Sequence, residues 1–111
     1  MLMPQTQHDL IVAIVKKGFN TEVVKAAKKA GARGATIIYG RGSGIHDTKK
    51  LWGIPIEPEK DIILIVVDRE ISDRGLAAVV EEGNLNQPNT GIAFVMELSQ
   101  VAGIAHHLEQ K

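Results

Sequence analysis

The chain contains no cysteine, which excludes disulfides, thiolate metal sites and cysteine nucleophiles and makes a reducing compartment the expected one. It carries no net charge either: 13 Lys and Arg balance 13 Asp and Glu. That neutrality removes the usual electrostatic case for nucleic acid or an anionic membrane as the main partner. No apolar run approaches the roughly 20 residues of a membrane-spanning helix. The opening MLMPQTQHDL lacks a basic stretch followed by an apolar core, so no signal peptide is expected and the expected location is cytoplasmic. Catalytic signatures are missing as well. There is no G-x-S-x-G elbow, no recognisable carboxylate pair, no triad and no G-x-x-x-x-G-K-[ST] phosphate loop, and no enzymatic activity is expected.

What is present reads as one domain over residues 1–111, with 44% apolar and 23% charged residues, the balance of an ordinary globular protein. Four short runs rich in Ile and Val stand out: Leu10–Val15, Ala35–Tyr39, Ile62–Val67 and Ile92–Leu98. Each has the length and composition of a strand. Between the first two, Asn20 suits an N-cap, Val23, Val24, Ala27 and Ala30 keep helical spacing, and Gly31 supplies a stop. Between the last two, Ser72 suits a cap for a helix carrying Leu76, Val79 and Val80 and ended by Gly83, with Gly75 weakening it by up to ~1 kcal/mol. The order βαββαβ predicts an α+β, ferredoxin-like fold: a four-stranded antiparallel sheet with two helices on one face.

Such a sheet leaves its second face bare. Were that face wet, the strands would alternate apolar and polar side chains. They do not, since IVAIV, IILIVV and IAFVM are apolar at consecutive positions. A tail carrying Val101, Ile104 and Leu108 is too short to cover a whole sheet. The second face is therefore expected to meet another copy of the chain.

The link between the second and third strands is the other anomaly. A plain hairpin needs 2–5 residues, whereas here about twenty, from Gly40 to Lys60, intervene. The segment opens with GRGSG, that is Gly40, Arg41, Gly42, Ser43 and Gly44. Glycines let the backbone approach a ligand and present N–H groups to phosphate, and Arg41 adds a charge-assisted contact; the plainer reading is a flexible hinge. Lys49, Lys50 and Trp52 combine flexible charge with an aromatic anchor, as a partner-docking tip does, although Trp52 could equally staple the loop to its own subunit. Asn89-Thr90-Gly91 has turn chemistry that a tight entry into the last strand would explain. Lys16, Lys17 and Gly18 lie near the end of the first strand, where a phosphate tail could reach. His46-Asp47 and the adjacent His106-His107 make poor chelates, so no metal site is expected.

The run GARGATIIYGRGSG, from Gly31 to Gly44, resembles the helix end, second strand and loop base of the nitrogen regulatory P-II proteins. With the element order and the long loop, the resemblance extends from about Leu10 to Ile104. It implies a homotrimer with effector clefts between subunits, an adenine nucleotide (ATP, ADP or AMP) as effector, and a non-enzymatic regulator of a membrane transporter or an enzyme. One wall of each cleft would be the base of the long loop (the T-loop, 40–60), where Thr36, Gly40, Arg41, Gly42, Ser43 and Gly44 fall. The other would be the turn at 86–91 (the B-loop), with Asn89, Thr90 and Gly91. The chain departs from the family where a phosphate-contacting lysine would stand, at Ile92, and where two arginines would stand, at Gly103 and Ala105. Tyr39 lies in the strand rather than in the loop. These departures imply a divergent branch. Two rival readings come from other classes: a CutA-type metal-associated trimeric scaffold, and a weak nucleotide hydrolase using the same clefts.

Overall fold

A computed structural model describes residues 7–43, 49–51, 53–56 and 58–103. The elements run β1 (His8–Lys16), α1 (Asn20–Lys29), β2 (Thr36–Arg41), β3 (Lys49–Leu51), β4 (Ile54–Ile56), β5 (Glu59–Asp68), a 3₁₀ turn (Arg69–Ile71), α2 (Ser72–Glu82) and β6 (Gly91–Leu98). Four strands form an antiparallel sheet in the order β2-β5-β1-β6. This is the expected ferredoxin-like fold. The central strands outrun their apolar cores because polar ends continue the ladder, with His8 opposite Asp68 and Lys16 opposite Lys60. The 40–60 segment is not structureless: β3 and β4 pair as a small hairpin of their own, Lys49 opposite Ile56.

Strand parity explains the core. One face of β1 and β5 presents Ile11, Ala13, Val15, Ile63, Ile65 and Val67, all buried against Val23 and Ala27 of α1 and Val79 of α2. Fully burying an aliphatic side chain contributes about 1.5–3 kcal/mol, so this layer carries much of the stability. Gly75 allows the close approach of α2, since a Cβ there would lie 3.0 Å from Ile11 Cδ1.

The helix ends follow the chemistry of the chain, with corrections to the expected caps. Neither Asn20 nor Ser72 is an N-cap; the cap positions are Phe19 and Ile71, and neither makes a side-chain cap bond. Asn20 Nδ2 instead donates to Asp61 Oδ2 at 2.8 Å, and Ser72 Oγ donates to Asp9 Oδ2 at 2.7 Å. A buried carboxylate outcompetes the local amide for these donors. Gly31 ends α1 as expected. At φ 121° it brings its own N–H to Lys28 O and that of Ala32 to Ala27 O, the paired bonds of a Schellman turn. In α2 the left-handed residue is Asn84 (φ 54°) rather than Gly83, with Leu85 N bonded to Val80 O.

The face away from the helices is apolar. Register aligns Ile92, Ile14, Ile62 and Ile38 in one row, Phe94, Val12, Leu64 and Thr36 in the next, and Met96, Leu10 and Val66 in a third. Ile92 is 58% exposed and Met96 50%. Scattered exposed apolar residues are ordinary, but a contiguous grid of this kind marks an interaction surface.

Candidate functional site

At one end of the sheet, where β1 and β2 finish and β5 begins, a cleft of about 530 Å³ opens among Lys17, Gly18, Asn20, Tyr39, Gly40, Arg41, Glu59, Lys60 and Asp61. The antiparallel register produces this gathering, because it sets Gly40 opposite Lys60 and Arg41 opposite Glu59. Asp61 organises the floor. It follows the parity of Ile63, Ile65 and Val67, so its side chain is carried to the core face and is fully buried. Its Oδ2 accepts hydrogen bonds from Gly18 N at 3.0 Å and Asn20 Nδ2 at 2.8 Å, pinning the β1–α1 turn to the sheet. Among the described residues its Oδ1 has no hydrogen-bond partner.

The mouth of the cleft is charged. Glu59 Oε2 lies 2.9 Å from Lys17 Nζ, and Glu59 Oε1 lies 3.9 Å from an Arg41 guanidinium nitrogen. The Lys17–Glu59 hydrogen bond raises the Lys17 ammonium and holds the Glu59 carboxyl below their ordinary values. Both side chains stay largely in water. The loop base is tied here by backbone bonds, Gly42 N to Pro58 O at 3.1 Å and Lys17 N to Glu59 O at 3.3 Å.

The expected site residues divide into groups. Gly40 and Arg41 line the cleft, Gly42 is bonded at its edge, and Ser43 follows as an exposed residue. Thr36 is at the far end of β2, in a separate shallow depression with Gly31, Arg33, Gly34, Leu64 and Val66. Asn89, Thr90 and Gly91 stand at the opposite edge of the sheet, about three strand spacings or 14–15 Å from β2. Within one chain they do not meet Gly40 and Arg41. Local geometry accounts for all three: Asn89 is left-handed (φ 63°), and Thr90 Oγ1 reaches Asn84 O at 2.8 Å and Gln87 O at 3.0 Å. Gly91 (φ 146°) packs so closely on the Ile14 carbonyl that a Cβ would collide with it. Lys49 and Lys50 belong to β3; Gly44 and Trp52 lie outside the described residues.

Sequence reasoning missed Glu59, Lys60 and Asp61. A signal was present: extending the inward row of β5 by two residues from Ile63 puts a carboxylate on the core face, and a buried carboxylate demands partners.

A family model described as "Nitrogen regulatory protein P-II" matches residues 8–107. This chain belongs to the P-II family. P-II proteins are regulatory signalling proteins, small-molecule-binding oligomers that are generally not enzymes. The chain is 28% identical over 95 residues to the nitrogen fixation nifHD1 region GlnB-like protein 1 of Methanosarcina barkeri, spanning 82% of this chain and 88% of that one. A crystal structure of Arabidopsis thaliana PII bound to citrate shares the fold, with a TM-score of 0.70 at 24% identity over 94% of this chain and 89% of the other. Ile92 belongs to the exposed apolar face of this P-II chain. Among the described residues, no helix is long and apolar enough to cross a membrane.

Proposed function

We propose that this P-II chain senses a small anionic effector in clefts between copies of itself and signals to a partner through the 40–60 segment. The observation that carries the reading is the convergence of Lys17, Arg41 and Lys60 with Gly18 and Gly40 around one open cleft at the loop base. Cations beside glycine backbone suit a phosphate or carboxylate ligand. An adenine nucleotide (ATP, ADP or AMP) is the first effector to test, and citrate, held by the Arabidopsis protein, the second.

The P-II resemblance implies a homotrimer, and the positions of the sheet edges support assembly through them. The cleft at the β2 edge lacks the 86–91 turn, which stands at the β6 edge; a neighbouring copy would bring its β6 edge to that cleft and cover the apolar face. Asn89, Thr90 and Gly91 would then complete the site begun by Gly40, Arg41, Gly42, Ser43 and Gly44, with Thr36 further along the same strand. Ligand contacts made in only one state of the 40–60 segment would shift its population. Lys49, Lys50 and Trp52 would present that state to a cytoplasmic face of a transporter, or to a regulated enzyme.

A thermal-shift screen against ATP, ADP, AMP, citrate and divalent metals tests this reading. A ligand at one hundred times Kd stabilises the native state by about 2.7 kcal/mol. The expected result is an upward shift with a nucleotide or citrate that Arg41→Ala abolishes. A response to metals alone would sink the sensor reading.

A further inference from the structure

The two exposed cations at the mouth of the cleft already have an anion, and it comes from the chain. Glu59 places Oε2 at 2.9 Å from Lys17 and Oε1 at 3.9 Å from Arg41. One carboxylate thus spans a cation from β1's end and another from β2's end. Its backbone is fixed independently of that bridge, because Glu59 O accepts from Lys17 N and β5 pairs Glu59 with Arg41. The side chain can therefore swing away without unmaking the ladder. All three side chains are exposed, Lys17 at 65%, Arg41 at 63% and Glu59 itself at 50%. Pairs of this kind are weak and readily exchanged.

We propose that Glu59 is a built-in competitor for the effector, a specificity residue that occupies Lys17 and Arg41 until a polyanion displaces it. This rests on the reading of the cleft as an anion site. A tethered group acts at an effective concentration on the order of millimolar or above. A free monocarboxylate or bicarbonate offers the cations nothing that Glu59 does not, and so gains little by exchange. A ligand with two adjacent anionic groups meets both cations at once and leaves Glu59 to return to water. The geometry thus selects diphosphates and di- or tricarboxylates over monoanions. Displacement would also free Arg41 from Glu59 at the point where β2 enters the 40–60 segment, coupling occupancy to the state of the loop base.

The test measures binding of pyrophosphate and of acetate by calorimetry, at constant ionic strength, to wild type and Glu59→Gln. Glutamine keeps the shape and the backbone pairing while removing the competing charge. The expected outcome is pyrophosphate binding at least threefold tighter in the variant, with the pyrophosphate-over-acetate preference reduced. Pyrophosphate binding to the variant alone would support the proposal equally. Unchanged or weaker pyrophosphate binding in the variant, with wild type still binding, overturns it and leaves the sensor reading standing. No binding of pyrophosphate to either protein overturns both. A Glu59→Asp protein serves as a control for folding and packing. Its shorter carboxylate keeps the charge, and tightening as large as that of Glu59→Gln would overturn a charge-based mechanism.

Discussion

The Ser72 hydroxyl donates to Asp9 Oδ2 at 2.7 Å, tying the first turn of α2 to the second residue of β1. Arg69 completes the arrangement with a bond from Nε to Asp9 Oδ1 at 2.8 Å. Asp9 is buried, yet the Ser72 hydroxyl, and then Arg69, hold its carboxyl below the ordinary value of 3.8 against the opposing effect of burial.

A folded-state value below the unfolded one means that Asp9 contributes stability above the ordinary carboxylate range. That contribution is lost as pH falls through the depressed folded value. Asp9→Asn is expected to cost about 1.5–3 kcal/mol at pH 7, the range for hydrogen bonds to charged groups. Urea denaturation of wild type and variant between pH 7 and pH 2.5 checks this; the gap should begin to narrow below about pH 4, where the unfolded chain's Asp9 takes up its proton first, and close as pH falls through the depressed folded value. A gap that stays constant throughout would rule out the charged form of Asp9 as the cause.

Gly91→Ala should be among the most damaging single-methyl additions in the chain. Residue 91 combines φ 146° with direct apposition to the Ile14 carbonyl. Strained backbone of this type costs of order 1–3 kcal/mol before any clash is counted. The thermal midpoint should drop by several degrees, while Gly34→Ala, with open space around it, leaves it nearly unchanged.

Gly75→Ala sets two effects against each other. A helical Gly→Ala change ordinarily gains up to ~1 kcal/mol, but here the new methyl would sit 3.0 Å from Ile11 Cδ1. The single variant is expected to gain nothing. Ile11→Val removes that Cδ1 and alone costs about 0.5–1.5 kcal/mol. In a double-mutant cycle the pair should be more stable than the sum of the singles, and strict additivity would refute the contact.

Phe94→Glu tests what covers the apolar face. Wild type should sediment as three copies of the 12.0 kDa chain. A charge in the middle row, beside Val12, should release folded monomers with helix and strand signals intact. Sedimentation of wild type as a monomer would remove the case for self-association through this face.

Much of the fold was legible in the chain because periodicity is a local record of burial. Runs such as IVAIV and IILIVV marked strands apolar on both faces, and Gly31 marked the end of α1 because only a left-handed residue closes that turn. The glycine cluster pointed to the segment where the cleft opens, since Gly40 lines it and Gly42 is bonded at its edge. The failures share one cause. Asn20 and Ser72 look like caps to a reader of neighbours in sequence, but Asp61 and Asp9, 41 and 63 positions away, compete for the same donors.

Element order, the two-sided apolar strands, the missing cysteine and the absence of net charge were thus determined by sequence alone, since each depends on composition or on spacing along the chain. Tertiary structure decided which charges meet. Only the antiparallel register of β2 on β5 and of β5 on β1 brings Arg41, Glu59 and Lys17 to one mouth, and only strand parity sinks Asp61 beneath it. Hydrogen bonds and ion pairs act over a few ångströms of space, whatever the distance along the chain. The cleft's chemistry therefore existed only once the sheet had closed.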